Sequence, residues 1–245
     1  MKRASLLLPP LFLALLAGCG HKQTTAKVPP PPALPQKAEA AKPSLETHTA
    51  RPPDQSMAEA SRKKPLLIQT GIASWYGSPY HNRRGANGEV YDMTQMTAAH
   101  RTLPLNSIVR VTNLKTGHSA IVRITDRGPF IGERMLDLSL AAAKAVDVWG
   151  PGTAWVRMEV LETPAPIDIG GKWAVQIGAF NSIEAATQMK QRLISRYRSA
   201  KVLEFAGPTG EWVRIRVQND DREAAEEISR NVTSSEGGVF LVRLD

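Results

Sequence analysis

Apolar and polar residues alternate along several short stretches in the middle of the chain, and this pattern predicts β-strands. The clearest unit runs from Ser107 to Asn113, where Ile, Val, Arg, Val and Thr follow one another, and returns from His118 to Thr125. The Asn-Leu-Lys-Thr-Gly segment that joins the two stretches has the composition of a turn, so together they predict a β-hairpin. Asp126 therefore follows directly on the end of a strand.

Similar stretches flank this hairpin. Residues 72–76 begin a region of short strands separated by turns rich in Gly, Asn and Pro, and Trp155 to Leu161 alternates as a last strand. Ser139 is a good N-cap residue, and the alanine-rich sequence after it predicts a short helix through Val146. Many short strands with one small helix predict a compact, mainly β barrel over residues 67–163.

The pattern changes after the barrel, where strands and helices alternate. Trp173 to Phe180 predicts a strand, and two helices are predicted to start at Asn181 and Asp220, each with a Glu three residues on. Three more strand-like stretches complete the order β-α-β-β-α-β over residues 171–245. This order predicts a small ferredoxin-like α+β domain with both helices on one face of an antiparallel sheet. Residues 164–170, which contain Pro and Gly, are the predicted linker between the domains.

Residues 1–18 have the form of a secretory signal peptide. Two basic residues precede an apolar run from Leu6 to Ala17 that is short for a membrane span. Cys19 is the only cysteine, and the Leu-Leu-Ala-Gly-Cys sequence that it ends looks like a bacterial lipobox. A lone cysteine is more often a small buried residue, but this position favours cleavage before Cys19 and its acylation, palmitate included, as a stable anchor. Gly20 in place of Asp is typical of sorting to the outer membrane.

Residues 19–66 form a predicted disordered linker. Nine of the chain's 18 prolines fall between Gly20 and Pro65, where apolar residues show no period. Such a segment cannot bury enough apolar surface to fold, so we expect a partly polyproline II tether. The formal net charge is +8, but residues 1–70 hold ten Lys or Arg against four Asp or Glu. Neither predicted domain is strongly basic, which argues against a nucleic-acid partner.

Three polar residues stand in turns of the predicted barrel, namely Glu89, His100 and Asp126. Carboxyl and imidazole groups are the side chains that most often act as general acids and bases. Asp126 is the candidate proton donor if burial, or the neighbouring Glu89, raises its pKa. Structural roles are the alternatives: Asp126 as a turn former, Glu89 as a solvated hairpin residue, and His100 as a core residue bonded to a carbonyl.

No cofactor and no metal are predicted. The candidate zinc ligands His81, His100, His118 and Asp126 lack the close paired spacing of zinc sites. The sequence also has no Gly-x-Ser-x-Gly elbow and no phosphate-binding glycine loop. Hydrolysis through a serine nucleophile and nucleotide chemistry are therefore disfavoured.

Strand alternation in the second predicted domain separates an aliphatic face from a polar one. The polar face carries Gln176, Trp212, Arg214 and Arg216. If the helices cover the aliphatic face, these four side chains share the open face. An aromatic ring among hydrogen-bond donors suits a polar sugar chain. RNA would suit the same face, but export makes that partner a poor choice.

Five blocks in the predicted barrel are distinctive. They are Gly-Ile-Ala-Ser-Trp-Tyr-Gly (71–77), Ala-Asn-Gly-Glu-Val-Tyr-Asp (86–92), Thr-Ala-Ala-His-Arg-Thr-Leu-Pro (97–104), Val-Arg-Val-Thr-Asn-Leu (109–114) and Asp-Arg-Gly-Pro-Phe (126–130). In this order they resemble the RlpA (rare lipoprotein A) family of septal, wall-cleaving lipoproteins. Val-Gln-Ile-Gly-Ala-Phe (175–180) and Arg-Ile-Arg-Val (214–217) resemble a SPOR domain.

The resemblance implies a six-stranded double-psi β-barrel followed by a SPOR domain. It also implies a lytic transglycosylase that cuts between N-acetylmuramic acid and N-acetylglucosamine, with functional residues at Glu89, His100 and Asp126. The sequence departs from the family at Gly85, where threonine is usual. For the second domain, the resemblance implies binding to septal peptidoglycan strands that have lost their stem peptides.

Together these inferences predict an endolytic enzyme that produces 1,6-anhydro ends, prefers strands without stem peptides and acts at the septum in daughter-cell separation. It would be an outer-membrane lipoprotein facing the periplasm, with peptidoglycan, the membrane and divisome proteins as its partners. One alternative is a non-catalytic wall-binding lipoprotein whose barrel grips glycan. A second alternative is a glycan hydrolase that uses water.

Overall fold

The computed structural model describes residues 53–245 apart from residues 61, 199 and 208, and for residues 53–56 it describes the backbone alone. The predictions for the signal peptide, the anchor at Cys19 and most of the linker lie outside these residues. The elements are α1 (Pro53–Ala60), β1 (Leu67–Trp75), β2 (Thr97–His100), β3 (Ile108–Asn113), β4 (Ser119–Asp126), β5 (Arg134–Leu138), α2 (Leu140–Ala145), β6 (Ala154–Glu162), β7 (Trp173–Phe180), α3 (Ile183–Arg196), β8 (Lys201–Gly207), β9 (Gly210–Arg216), α4 (Arg222–Asn231) and β10 (Gly238–Arg243).

The first six strands close into a barrel in the order β1-β5-β2-β4-β3-β6. β1 runs parallel to β5 and β2 runs parallel to β4, whereas the other neighbouring pairs are antiparallel. These interlocked parallel pairs make the double-psi arrangement, so the predicted fold is confirmed. The predicted hairpin is also confirmed, since β3 and β4 pair in register from Ile108 opposite Arg123 to Thr112 opposite Ser119.

Alternation along the strands fills the barrel with aliphatic side chains. Val109 and Val111 of β3 face Val122 and Ile124 of β4 in one buried cluster. Because neighbouring residues on a strand point to opposite faces, the polar residues between them line the outside of the barrel. The predicted short helix is confirmed as α2, and the Ser139 side chain caps it.

Helix α1 lies within the segment predicted to be a disordered tether, so that prediction is wrong for residues 53–60. Ala60 is fully buried and packs with Ile108 and Leu161 of the barrel. A helix this short is marginal alone, and its stability comes from such tertiary contacts rather than from its own sequence. This explains why periodicity did not reveal it.

The second domain has the predicted order β-α-β-β-α-β, which is confirmed. Its four antiparallel strands lie in the order β10-β7-β9-β8. Helices α3 and α4 pack on one face, against Val175, Ile177, Val213 and Ile215. The opposite face of the sheet is left without a helix, as the alternation predicted.

Both helices of the second domain begin one residue later than predicted. The N-cap residues are Ser182 and Asp221, rather than Asn181 and Asp220, and each accepts a hydrogen bond from the backbone N–H three residues on. All four are residue types that cap helices well. The side chain that can reach the free N–H decides the start, and this geometry is not visible in the sequence.

Candidate active site

Asp126 ends β4 and is largely buried. Its Oδ1 accepts hydrogen bonds from the backbone N–H groups of Ala86 at 3.0 Å and Arg127 at 2.8 Å. Burial raises the pKa of the carboxyl, whereas these two N–H groups and the charge of Arg127 oppose the rise. The net result is a raised pKa, which suits a group that must hold a proton before giving it up.

The turn that contains Glu89 folds against the end of β4. The Asn87 N–H donates to the Thr125 carbonyl at 3.1 Å, and the Gly85 N–H donates to the Glu89 carbonyl at 2.8 Å. A Cβ atom added at Gly85 would lie 3.7 Å from Cγ of Asp126. The nearest atom to such a Cβ is the Thr125 carbonyl oxygen at 3.0 Å, so the turn packs closely against the end of β4.

Asp126 and Glu89 both line the groove between this turn and the end of β4. Glu89 is held in a bidentate ion pair by Arg123, with N–O distances of 2.7 and 2.9 Å. The hydrogen bonds from Arg123 lower the pKa of Glu89, which is therefore ionised at neutral pH. The sequence left open whether burial or Glu89 raises the pKa of Asp126, and burial is the main cause.

His100 ends β2, and its ring is not part of this groove. The ring is buried, and Nδ1 accepts hydrogen bonds from the N–H groups of Thr102 at 3.2 Å and Leu103 at 3.1 Å. The Arg127 guanidinium binds the same turn, through the carbonyls of His100 and Leu103. His100 thus orders the turn that holds Arg127, the residue after Asp126, while its ring borders a separate cleft between β1, β5 and β10.

His100→Phe should destabilise the fold, because it leaves two backbone N–H groups without an acceptor. We expect a loss of about 1–3 kcal/mol in the free energy of unfolding at pH 7. Burial, with help from Arg101 and Arg127, lowers the pKa of His100 from 6.5 to about 3. Between these values the unfolded chain binds a proton that the folded chain does not, so the contribution of neutral His100 is complete above pH 6.5 and is lost as the pH falls towards 3.

Urea titrations of wild type and His100→Phe across this pH range measure that contribution as a difference. The difference is needed because the raised pKa of Asp126 also makes the free energy of unfolding depend on pH. That contribution falls as the pH rises, whereas the contribution of His100 falls as the pH drops. His118→Phe is the matched control, since His118 is exposed and pairs with Asp147 at the surface. Full stability of His100→Phe together with lost activity would contradict the structural role.

The polar residues predicted for the second sheet do share one face. Arg214 lies opposite Gln176 in the β7–β9 pairing and donates to its Oε1 at 2.6 and 3.2 Å. Trp212 and Arg216 each lie two residues from Arg214 on β9, so all three side chains point to the same face of the sheet. Gln176 and Trp212 are only 3% and 4% exposed, so the two arginines provide the accessible part of this set.

Two family models match the chain. Residues 68–158 match the family described as lytic transglycolase, and residues 170–243 match the SPOR domain. Both matches coincide with the two folded domains, and they agree with the named relatives below. The chain is similar to proteins of the RlpA family.

Three similar curated proteins are each named endolytic peptidoglycan transglycosylase RlpA. The protein from Campylobacter jejuni is 39% identical over 153 residues, which are 53% of this chain and 54% of that protein. The one from Vibrio cholerae is 42% identical over 134 residues, or 52% of this chain and 51% of that protein. The one from Pseudomonas aeruginosa is 56% identical over 92 residues, 38% of this chain and 27% of that protein. The chain thus spans about half of the length of the first two relatives and about a quarter of the length of the third.

The RlpA-type barrel and the SPOR domain touch through the loop that follows Asp126. Phe130 of this loop packs against Trp212 and Phe240 of the SPOR sheet, with ring centroids 5.5 and 5.7 Å apart. Arg127 donates to the carbonyl of Asp245 at 2.6 Å. The face predicted to bind glycan is therefore partly covered by the barrel, which sequence alternation cannot show.

Sequence reasoning missed Arg123, the ion-pair partner of Glu89. The available signal was its position, since Arg123 lies on the outward face of β4 three residues before Asp126.

Across residues 53–245, with the three gaps stated above, no group of three or more His, Cys, Asp or Glu is arranged to hold a metal ion. In the same part of the chain, no helix is both long and apolar enough to cross a membrane.

Proposed function

We propose that the protein is an endolytic peptidoglycan lytic transglycosylase that cleaves the β-1,4 bond between N-acetylmuramic acid and N-acetylglucosamine. The observation that carries the proposal is the buried Asp126 carboxyl, which has a raised pKa and lines a groove together with the ionised Glu89. The printed names of the relatives support the same activity.

Asp126 serves first as the acid and then as the base. Its proton passes to the glycosidic oxygen as the bond from that oxygen to the anomeric carbon breaks, and the departing N-acetylglucosamine end becomes a hydroxyl. The 6-hydroxyl of the muramic acid residue then bonds to the anomeric carbon and returns a proton to Asp126. The products are a 1,6-anhydro end and a regenerated carboxyl, and no water is consumed.

Glu89 contacts the sugar as an ion. Arg123 fixes its carboxylate by two hydrogen bonds, and its side chain is 56% exposed towards solvent and the groove. A fixed negative charge near the anomeric carbon favours the positive charge of the transition state, because it needs no reorganisation when that charge develops. His100 positions the turn behind Asp126.

Glu89→Gln should lower the cleavage rate about 100-fold, as expected when one preorganised electrostatic group is removed. Gln retains the size and one acceptor for Arg123, so the turn should persist. Glu162→Gln is the matched control, because it removes an exposed carboxylate of the same barrel that pairs with Lys63. Release of soluble fragments from stripped sacculi is the measurement, and equal rates in Glu89→Gln and wild type would remove Glu89 from the reaction.

The SPOR domain supplies the second contact with the polymer. Arg214 and Arg216 remain partly exposed on its sheet, where they would bind the hydroxyls of strands without stem peptides. Acylation at Cys19 would hold the protein on the outer membrane, facing the periplasm and concentrated at the septum. A tethered enzyme with two weak glycan contacts binds its polymer far better than either contact alone.

Digestion of purified sacculi tests the proposal. Peptide-bearing and amidase-stripped sacculi are incubated with the purified chain, and mass spectrometry identifies the new ends. Anhydro ends, formed faster on stripped strands, are the expected products. Reducing ends would indicate a hydrolase that uses water, and binding without any product would indicate a wall-binding lipoprotein.

A further inference from the structure

Asp137 of β5 is a second buried carboxyl in the barrel. Its side chain is 14% exposed, and Oδ2 accepts from Arg134 at 3.2 Å. Oδ1 is shut off from solvent and has no hydrogen-bond partner among the described residues. A buried carboxylate oxygen without a partner is costly, so it often marks a place where a ligand completes the site.

The strand pairing places Asp137 beside Asp126. Ala99 of β2 pairs with Asp126 on one side and with Asp137 on the other. Leu136 and Leu138 face the barrel core, so Asp137 faces outward, as does Ala99 next to the buried Ala98. Two strand spacings put the Cα atoms of the two acids about 10 Å apart, with only a methyl group between them.

Tyr76 lies over this part of the barrel. Its ring packs with Ala99 and stacks on Tyr91 at 4.3 Å between centroids. Burial is the main cause that raises the pKa of Tyr76, followed by the charge of Asp126, with a smaller contribution from Asp137. Tyr76 is therefore near both acids, because Ala99 pairs with Asp126 on one side and with Asp137 on the other. Its hydroxyl is also buried and meets no acceptor at hydrogen-bonding geometry among the described residues.

The two unpaired groups are complementary to one sugar hydroxyl. A carboxylate oxygen can only accept a hydrogen bond, a phenol can donate one, and a hydroxyl of the substrate can do both at once. The Thr97 hydroxyl, two residues from Ala99, is a third buried oxygen and interacts with Tyr76. Arg134 fixes the other oxygen of Asp137 and is itself bonded to Ser74 at 3.1 Å, so the carboxyl is already oriented.

We propose that Asp137 is a second catalytic carboxyl, placed across Ala99 from Asp126, where it contacts the sugar and stabilises the positive charge that develops on its ring. This inference rests on the proposed transglycosylase activity. Asp126 then acts as the acid, and Asp137 joins Glu89 as a second anion that stabilises the positive charge. The groups that face Asp137 are Arg134, Arg101 and Tyr76, and burial raises its pKa to about 6 despite the two arginines.

Kinetics of Asp137→Asn on stripped sacculi test this role. Asn keeps an acceptor for Arg134, so we expect the thermal midpoint to stay within a few degrees, while kcat falls at least 100-fold and KM changes little. Wild-type activity should also fall as the pH drops through about 6, because Asp137 becomes protonated. Asp147→Asn, at the exposed ion pair with His118, is the matched control.

The outcomes separate this inference from the proposed function. Wild type that releases no anhydro ends overturns both. Active wild type, inactive Asp126→Asn and fully active Asp137→Asn overturn only the role of Asp137. If Asp137→Asn does not fold, Arg134→Gln decides, because Arg134 lowers the pKa of Asp137. In folded Arg134→Gln, the loss of activity at acidic pH should move to a higher pH if Asp137 acts as an ion, and an unmoved loss would overturn its role.

Discussion

Asp126→Asn is expected to abolish the release of anhydro ends, with a fall in rate of at least 100-fold, the usual contribution of a positioned acid and base. The Asn side chain keeps an oxygen for the N–H groups of Ala86 and Arg127, so the turn should be retained. Its amide cannot give a proton to the leaving oxygen. The rate of product release from stripped sacculi, measured by mass spectrometry, is the readout.

The pH dependence gives this prediction a second measurement. The acid must be protonated before cleavage, so wild-type activity should fall as the pH rises through the pKa of Asp126 in the folded protein. Burial raises that pKa, which moves this loss of activity to a higher pH than an exposed Asp would show. Asp147→Asn should leave the profile unchanged. Substantial activity in a folded Asp126→Asn would remove Asp126 from the proton transfer.

Gly237→Ala should unfold the SPOR domain under conditions where the barrel stays folded. A Cβ atom at Gly237 would overlap the carbonyl group of Gly178 on the neighbouring strand, and the backbone there has a φ of +64°. Both the overlap and the left-handed backbone oppose a side chain, so we expect a loss of about 3 kcal/mol or more in the free energy of unfolding. Hydrogen exchange of β7 and β10, followed by mass spectrometry, measures the effect locally.

Gly170→Ala is the matched control for the overlap. Gly170 has a similar φ of +70°, but no atom lies within 4 Å of an added Cβ. Only the backbone cost remains, about 1 kcal/mol. Equal protection of β7 and β10 from hydrogen exchange in Gly237→Ala and Gly170→Ala would contradict the prediction. It would show that β7 and β10 can move apart at Gly178 while the rest of the sheet stays paired.

Local sequence patterns predicted the elements that depend on near neighbours. The hairpin of β3 and β4 needed only alternation and a turn, and it correctly placed Asp126 at a strand end. The order of elements in the SPOR domain followed from the spacing of apolar residues, which recur at every second position in strands and at every third or fourth position in helices. These features could be predicted because each is decided by contacts within about 20 residues along the chain.

Features decided by distant residues could not be predicted in this way. The ion pair of Glu89 with Arg123 joins two segments that meet only when the turn folds onto β4. The register of β2 and β4 shifts between Ala98 and Ala99, so Ala99 pairs with Asp126, and His100 does not line the groove. Phe130 covers Trp212 through a contact between domains. In each case tertiary packing, rather than local preference, decides the position.

The closure of the barrel also determines when the groove can form during synthesis of the chain. β1 pairs with β5 and β6, so its partners are residues 134–138 and 154–160, far along the chain. Contacts of such long separation form late and slowly, because a long loop must be ordered before they are gained. A growing chain contains Glu89 and Asp126 well before it contains β6. Until β6 is present, the barrel that positions these two residues cannot close. The folding order therefore delays completion of the groove until nearly the whole barrel sequence has been made.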